Sequence, residues 1–225
     1  MADHGWLAHL GVLALLAVVP FLVVVGTSFA KVAVVLGITK NAIGGQGVIP
    51  VTVITGLALV VTMFIMGPVV DDMLQVPLPG ISSVPTTAAQ SPPGTAPDAS
   101  VFDDAKAVYT AMAPILTRFL RQNTPDGELQ FFKDLDASGS SGDASIRVLL
   151  LAFASNELIE AFVLGVLILI PFLVVDVIVA NTLTALGLTA LSPLAVSLPL
   201  KLLLFIAADG WHLLINALIL SYNVA

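Results

Sequence analysis

The chain has 225 residues, of which 58% are hydrophobic and only 10% are charged. A soluble domain carries roughly a quarter charged residues, so this composition excludes an ordinary soluble domain and indicates a membrane protein with several spans. The net charge of −7 argues against nucleic acid as a partner, and the absence of cysteine excludes disulfides, thiolate metal sites and a thiol nucleophile.

Four apolar blocks follow one another along the chain, at about residues 6–25, 48–70, 161–186 and 194–220. Each is long enough for a membrane span, which takes ~20 helical residues to cross ~30 Å of hydrocarbon. The first block lacks the basic segment of a secretory signal, so we expect it to be retained. The pattern predicts an all-α membrane protein of two long helical hairpins, in residues 1–70 and 158–225.

Residues 71–157 form a different kind of segment, with most of the acidic side chains. The Pro-rich stretch 77–100 predicts a flexible linker. Apolar residues at spacings of three and four predict an amphipathic helix over 101–122, and "GELQFFKDLD" predicts a second, short helix. Lys31 and Lys40, between the first two blocks, are typical of a short cytoplasmic loop. We therefore expect this insertion and both termini on the outer, periplasmic face of the membrane.

Turn and kink positions follow from glycine and proline, which interrupt regular helix. The sequence predicts such positions at Gly44, Pro50, Pro171, Gly187, Pro193, Pro199 and Gly210.

Three charges stand inside the last two apolar blocks: Asp176, Lys201 and Asp209. Each would cost about 2.5–3.5 kcal/mol at the bilayer centre, so each must face protein, water or another charge. If the chain turns at Gly187–Thr189, Asp176 and Lys201 lie at nearly equal depth, roughly 18–20 Å from the turn. We expect them to pair.

The role of these charges is open at this stage. Asp176 and Lys201 either only neutralise each other, form a proton relay or ion site, or pair across a subunit interface. Asp209 lies about 80° from Lys201 around an ideal helix and needs another partner. Lys31 and Lys40, on another helix or another subunit, are the candidates. No motif predicts catalysis, a metal site or a cofactor.

Several quoted segments together resemble one family. "TSFAKVAVVLGITKNAIGGQGVIP", "GLALVVTMFIMGPVV", "IPFLVVDVIVANTLTALG" and "LSPLAVSLPLKLLLFIAADGW" are similar, in this order, to the type III secretion export-apparatus R component (SctR) and its flagellar counterpart FliP. The likeness covers about residues 15–222, apart from the Pro-rich tract.

This resemblance implies a non-enzymatic pore component of a protein export gate. It implies a ring of five copies joined by S and T components, contacts with the large V component and with inner rod or needle proteins, and unfolded secreted proteins as substrates. Membrane lipid is a further implied partner, and the apolar hairpins would also pack on neighbouring subunits. Within such an assembly Lys31, Lys40, Asp176, Lys201 and Asp209 would hold helices and subunits in register.

The chain departs from the family pattern at two places. Where the family has a run of methionines that closes the pore, this sequence has Leu188, Thr189, Ala190 and Leu191. Leucine is stiffer than methionine, but a constriction of this composition is still mainly apolar. Where the family often has lysine after "EL", this chain has Ile159 and then Glu160.

Two alternatives belong to other functional classes. A proton- or ion-coupled transporter of small solutes would use Asp176 and Asp209 as carriers. An intramembrane hydrolase would need a water-accessible catalytic pair, which the sequence does not supply. Transporters often show repeated halves, and residues 1–70 and 158–225 show no convincing repeat.

Overall fold

A computed structural model of the protein describes residues 24–44, 49–76, 99–136, 145–188 and 190–222, with the backbone alone for residues 99–109. This part of the chain is all-helical and has no strand. The helices that lie wholly within these ranges are α1 (Phe29–Ala42), α2 (Val51–Leu74), α3 (Ala99–Gln122), α4 (Asp126–Leu135), α5 (Ile146–Ala185), α6 (Pro193–Ala207) and α7 (Gly210–Leu220).

The longest helix, α5, has 40 residues and contacts α1, α3, α4 and α6. At 1.5 Å per residue it is about 60 Å long. The third apolar block is only its second part, because the helix begins fifteen residues earlier, at Ile146. The predicted boundary between the insertion and the C-terminal segment, at residues 157–158, therefore falls inside a continuous helix.

The main core lies where α1 packs along the first half of α5. Val32 and Val35 of α1 and Phe153 and Ala161 of α5 are fully buried there. Farther along, Gly165 of α5 lies against Ile38, and a Cβ at Gly165 would come within 2.3 Å of Ile38 Cδ1. The two helices run parallel, since Lys31 meets Glu157 near the start and Ile43 meets Phe172 near the end of the contact.

The end of α5 is closed by a glycine turn. Gly187 has φ +71°, a left-handed conformation that glycine adopts without strain. The Leu188 N–H donates to the Leu183 carbonyl at 2.9 Å and the Gly187 N–H to the Thr184 carbonyl at 3.0 Å, which together form a Schellman motif. Pro193 then occupies the first turn of α6, where its missing N–H costs nothing.

The fourth apolar block is broken into two helices, which corrects the expectation of one continuous span. α6 and α7 are bent by 62° at Asp209, a non-glycine residue with φ +52°. The residue after Asp209 is Gly210. A Cβ there would lie 2.3 Å from the Phe205 ring, so only glycine permits this close approach. Gly210 is thus a turn position, as predicted.

The other predicted breaks differ in their outcome. Gly44 has φ +84° just beyond α1, and Pro50 directly precedes α2. Pro171 and Pro199 lie inside α5 and α6, which continue through them.

In the described ranges, two helices, α2 and α5, are long and apolar enough to cross a membrane, and the bent pair of α6 and α7 makes a third if it counts as one span. Most of the first apolar block, residues 6–23, lies outside the described residues, as does most of the Pro-rich linker. The insertion contains the two predicted helices, as α3 and α4. An Arg118–Asp72 pair at 3.2 Å joins α3 to the end of α2.

Candidate functional site: two charge networks on one helix

The first network surrounds Lys31, whose side chain is completely buried although lysine is almost never so. Its Nζ donates a hydrogen bond to Glu160 Oε2 and lies 3.7 Å from Glu157 Oε1. It also lies 4.3 Å from the centre of the Tyr222 ring, within the range of a cation–π contact. The first turn of α1 is thereby bound to α5 and to the end of the described chain.

Glu157 and Glu160 meet one lysine because they are three residues apart and share a face of α5. The Glu157 side chain is only 2% exposed, whereas that of Glu160 is 40% exposed. Asn156 Nδ2 donates to Glu160 Oε1 at 2.9 Å and to the Asn123 carbonyl at 3.4 Å. The bond to the Asn123 carbonyl extends the network to the loop after α3.

Tyr222 completes the network from the other end of the chain. Its hydroxyl donates to Glu157 Oε2, and its ring stacks on Phe119 with centroids 6.4 Å apart. Burial, and then the adjacent Glu157 carboxylate, raise the pKa of the Tyr222 hydroxyl. The hydroxyl therefore stays protonated and remains a donor.

The second network joins α5 to α6. Lys201 Nζ lies 2.6 Å from Asp176 Oδ2, so the pairing predicted from equal depth is confirmed. The Lys201 side chain is 5% exposed and that of Asp176 is 36% exposed. The lysine is therefore the buried partner, and the carboxylate lies at the surface of the helix pair.

Lys31 and Lys40 were the candidate partners of Asp209, and within one chain Asp209 pairs with neither. Lys31 is occupied by the two glutamates, and Asp209 instead contacts His212 Nδ1 at 2.7 Å through Oδ1. The Asp209 side chain is 71% exposed, so it is not a buried charge. Lys40 is half-buried, and no carboxylate in the described ranges pairs with it.

The segment that resembles the pore closure follows the glycine turn. Leu188 is 44% exposed and Leu191 is 50% exposed, and Ala190 between them is also exposed. Thr189 lies outside the described residues. The three described residues thus present an apolar surface at the turn between the end of α5 and the start of α6.

Glu157 and Tyr222 were missed by reasoning from the sequence, and Glu160 was noted only as a departure from a family pattern. A signal was available, because two carboxylates on one helical face just before an apolar block are candidates for pairing with a cation. The partner could not be read from spacing, since Lys31 is 129 residues from Glu160.

Both networks pair charged side chains of different helices. Among the described residues, no group of three or more His, Asp or Glu side chains could hold a metal ion.

The fold and the two networks define a class: an all-helical protein with membrane-length apolar helices and charges paired between those helices. The FliP family model matches residues 12–218, and the chain belongs to this family.

Three relatives give the breadth of the family. The chain is 36% identical to "Virulence protein YscR" of Salmonella typhimurium over 221 residues, which are 95% of each chain. It is 36% identical to "Harpin secretion protein HrcR" of Erwinia amylovora over 93% of each chain. It is 35% identical to "Flagellar biosynthetic protein FliP" of Cereibacter sphaeroides, over 97% of this chain and 69% of that protein.

Proposed function

We propose that the protein is a core component of a type III protein secretion export gate in the bacterial inner membrane, and that copies of it form the pore for unfolded substrate proteins. The observation that carries this proposal is membership of a family whose relatives are named for virulence, harpin secretion and flagellar biosynthesis.

The surface of the isolated chain supports an assembly. Large apolar side chains cover one broad outer face of α5, as exposed residues Phe162, Val163, Val166, Leu167, Ile170, Val174, Val177 and Ile178. Contiguous apolar surface of this extent marks a protein or lipid interface. In the proposed gate, neighbouring copies cover part of it in a ring of five, and lipid or the S and T components cover the rest. The V component and inner rod or needle proteins would then bind the completed ring.

The two charge networks have different tasks in this proposal. The Lys31 network fixes α1, α5 and the C-terminal end relative to one another, and the Asp176–Lys201 pair fixes the register of α5 against α6. A buried pair is a device for register more than for stability. The helices α5 and α6 then form a hairpin whose tip carries Leu188–Leu191.

The hairpin tip is the proposed closure of the pore. Apolar side chains at a constriction exclude water and so block ions without a rigid plug. Leu188 and Leu191 of several copies would meet at the axis. The insertion between α2 and α5 would lie at the periplasmic side, at the opposite end of α5.

Catalysis has no part in the proposed role, and the energy for export comes from other components. The alternative of a proton-coupled transporter has less support, because its two candidate carriers are already engaged. Asp176 pairs with Lys201, and Asp209 contacts His212.

The first test is native mass spectrometry of the protein in mild detergent, alone and co-expressed with its genomic neighbours. The expected result is a five-fold ring that gains smaller membrane subunits. A monomer or dimer that ignores those neighbours would contradict the proposal, and proton flux through Asp176 would then be measured instead.

The closure is tested on the purified complex in liposomes. Changing Leu188 and Leu191 together to serine is expected to raise potassium leakage. The matched control is Leu203→Ser, which changes an exposed leucine of α6 away from the tip. Equal leakage from both variants would contradict a closure at the tip.

A further inference from the structure

The apolar part of the molecule comprises α1, the second half of α5, α6 and α7. Two charged residues there belong to neither of the networks described above. One is Lys40, on the last turn of α1, and the other is Asp209, at the break between α6 and α7. Taking the proposed ring as given, we infer that Lys40 of one copy pairs with Asp209 of the next and so defines the contact between neighbouring copies.

Lys40 is in an unusual position for a cation of this chain. In the described ranges, Lys31, Lys201, Arg118 and Arg121 each meet a carboxylate. The other described cations without an ion pair, Lys133 and Arg147, belong to α4 and to the first turn of α5, at the insertion end. Among the described residues, Lys40 is thus the unpaired cation on the apolar part, where an ammonium is costly unless it finds an anion or water.

Asp209 presents the complementary charge. Its left-handed backbone ends α6 and starts α7, and its carboxylate faces outward, 71% exposed. His212 contacts only Oδ1, which leaves Oδ2 to accept from a second cation. Large apolar side chains surround it, since Ile206 is 75% exposed and Leu213 is 63% exposed. A charge set in an exposed apolar surface fits a protein interface, where it gives specificity and register.

The contacts of its neighbours in sequence show which part of α5 lies beside Lys40. Two residues before it, Ile38 contacts Gly165, and three residues after it, Ile43 packs with Phe172. Lys40 therefore lies level with the stretch of α5 between residues 165 and 172.

Asp209 lies at the same height. Four residues before it, Phe205 packs with Phe172, their ring centroids 6.3 Å apart. Four and five residues after it, Leu213 and Leu214 line a cavity of about 410 Å³ together with Leu164. Asp209 is thus also level with residues 164–172 of α5, yet Lys40 and Asp209 do not pair within one chain.

This equality of height is what a ring requires. Each copy in a cyclic ring uses two different patches, one against each neighbour, and both patches must lie at about the same level along the axis. A cation on one patch and an anion on the other repeat around the ring with every charge paired. The occupant of each patch is therefore a second copy of this chain.

The test uses chemical cross-linking through introduced cysteines. Because the chain has no native cysteine, only the introduced ones react. Copies that carry only Lys40→Cys and copies that carry only Asp209→Cys are given tags of different size and co-expressed. The membrane complex is treated with a short bismaleimide, because a Lys–Asp pair holds its Cα atoms farther apart than a disulfide allows. The expected product is the mixed dimer, with neither homodimer.

The matched control replaces Asp209→Cys by Gln75→Cys. Gln75 is exposed like Asp209, but it lies just beyond the far end of α2, more than 30 Å along the helix from Val51 at 1.5 Å per residue. Its mixed dimer with Lys40→Cys is expected to be absent.

Native mass spectrometry of the same samples separates the two proposals. A five-fold ring without the mixed dimer would overturn the Lys40–Asp209 contact and leave the export gate standing. Cross-linking of Asp209→Cys to a smaller membrane subunit instead would overturn the contact and assign the patch to that subunit. If no ring forms, the proposed function itself fails.

A charge exchange gives a second, independent measurement on the whole ring. Lys40→Asp and Asp209→Lys, each alone, are expected to weaken each contact by about two- to fivefold, as for a partly exposed ion pair. The doubly exchanged variant is expected to recover the proportion of intact ring. A double variant no better than the worse single variant would contradict the pairing.

Discussion

Tyr222 donates its hydroxyl to Glu157, a residue 65 positions earlier in the chain. The same carboxyl group lies 3.7 Å from Lys31 through its other oxygen. The two contacts join α1, α5 and the segment after α7 at one buried carboxylate. Predictions about this network therefore concern stability and assembly together.

Removing the Tyr222 hydroxyl tests the hydrogen bond alone. Tyr222→Phe keeps the ring over Lys31 and against Phe119 but leaves Glu157 without one donor, and we expect a loss of about 1–3 kcal/mol. Tyr222→Leu also loses the ring contacts and should be less stable than Tyr222→Phe. Thermal unfolding of the protein in detergent, followed by tryptophan fluorescence, measures both, and equal stability of all three proteins would contradict the network.

The raised pKa of Tyr222 adds a dependence on pH. Since the folded protein holds the protonated hydroxyl, this group's contribution to stability is complete below the ordinary tyrosine pKa of about 10 and falls as the pH rises above it. Tyr222→Phe should show a smaller decline of melting temperature between pH 9 and about 11 than the natural chain. Parallel pH profiles of the two proteins would contradict this.

Lys31→Met should be among the most destabilising changes of a single charge. It leaves Glu157 buried without its cation, a loss of about 3–5 kcal/mol for a broken buried pair. Adding Glu157→Gln removes the uncompensated charge and should recover part of the stability. The control is Arg118→Met, which breaks an exposed pair with Asp72 and should change the melting temperature little.

Loss of Asp176 and loss of Lys201 should lower the yield of assembled protein by different amounts. Asp176→Asn leaves the buried Lys201 without an anion, whereas Lys201→Met leaves a carboxylate that is 36% exposed. We therefore expect Asp176→Asn to reduce the yield of assembled protein more than Lys201→Met does. Exchanging the two charges should recover part of the yield, and an exchange that recovers nothing would leave pairing unsupported as the reason for these residues.

Gly165→Ala tests the close packing of α1 on α5. The new Cβ would lie 2.3 Å from Ile38 Cδ1, and such overpacking costs about 1–3 kcal/mol. Ile38→Val removes the clashing methyl group, so the double variant should be more stable than Gly165→Ala alone. The control is Gly67→Ala in α2, where the added Cβ meets no atom within 4 Å and should stabilise the helix slightly.

The sequence predicts local and register-determined features of this fold well. The Asp176–Lys201 pair was found by counting residues from a turn, because two helices joined by a short turn must bring residues at equal depth together. Gly187 and Gly210 were identified as turn positions because glycine interrupts regular helix, adopts a left-handed turn without strain and permits a close approach.

The features that were not predicted depend on contacts between distant segments. Nothing in the spacing of Lys31 and Glu160 indicates that α1 lies along the first half of α5, since 129 residues separate them. The start of α5 at Ile146 was also missed. The apolar block begins only at residue 161, and the residues before it are mixed in character although they are equally helical.

The length of α5 has a mechanical consequence. A helix about 60 Å long is twice as long as the ~30 Å hydrocarbon layer is thick, so one unbroken rod joins the Lys31 network to the Leu188–Leu191 tip. A tilt of about 5° at one end moves the other end by about 5 Å, which is close to the rise of one helical turn. In the proposed gate, a small change in how the insertion is held would therefore be amplified into a displacement of the tip, with α5 acting as a lever.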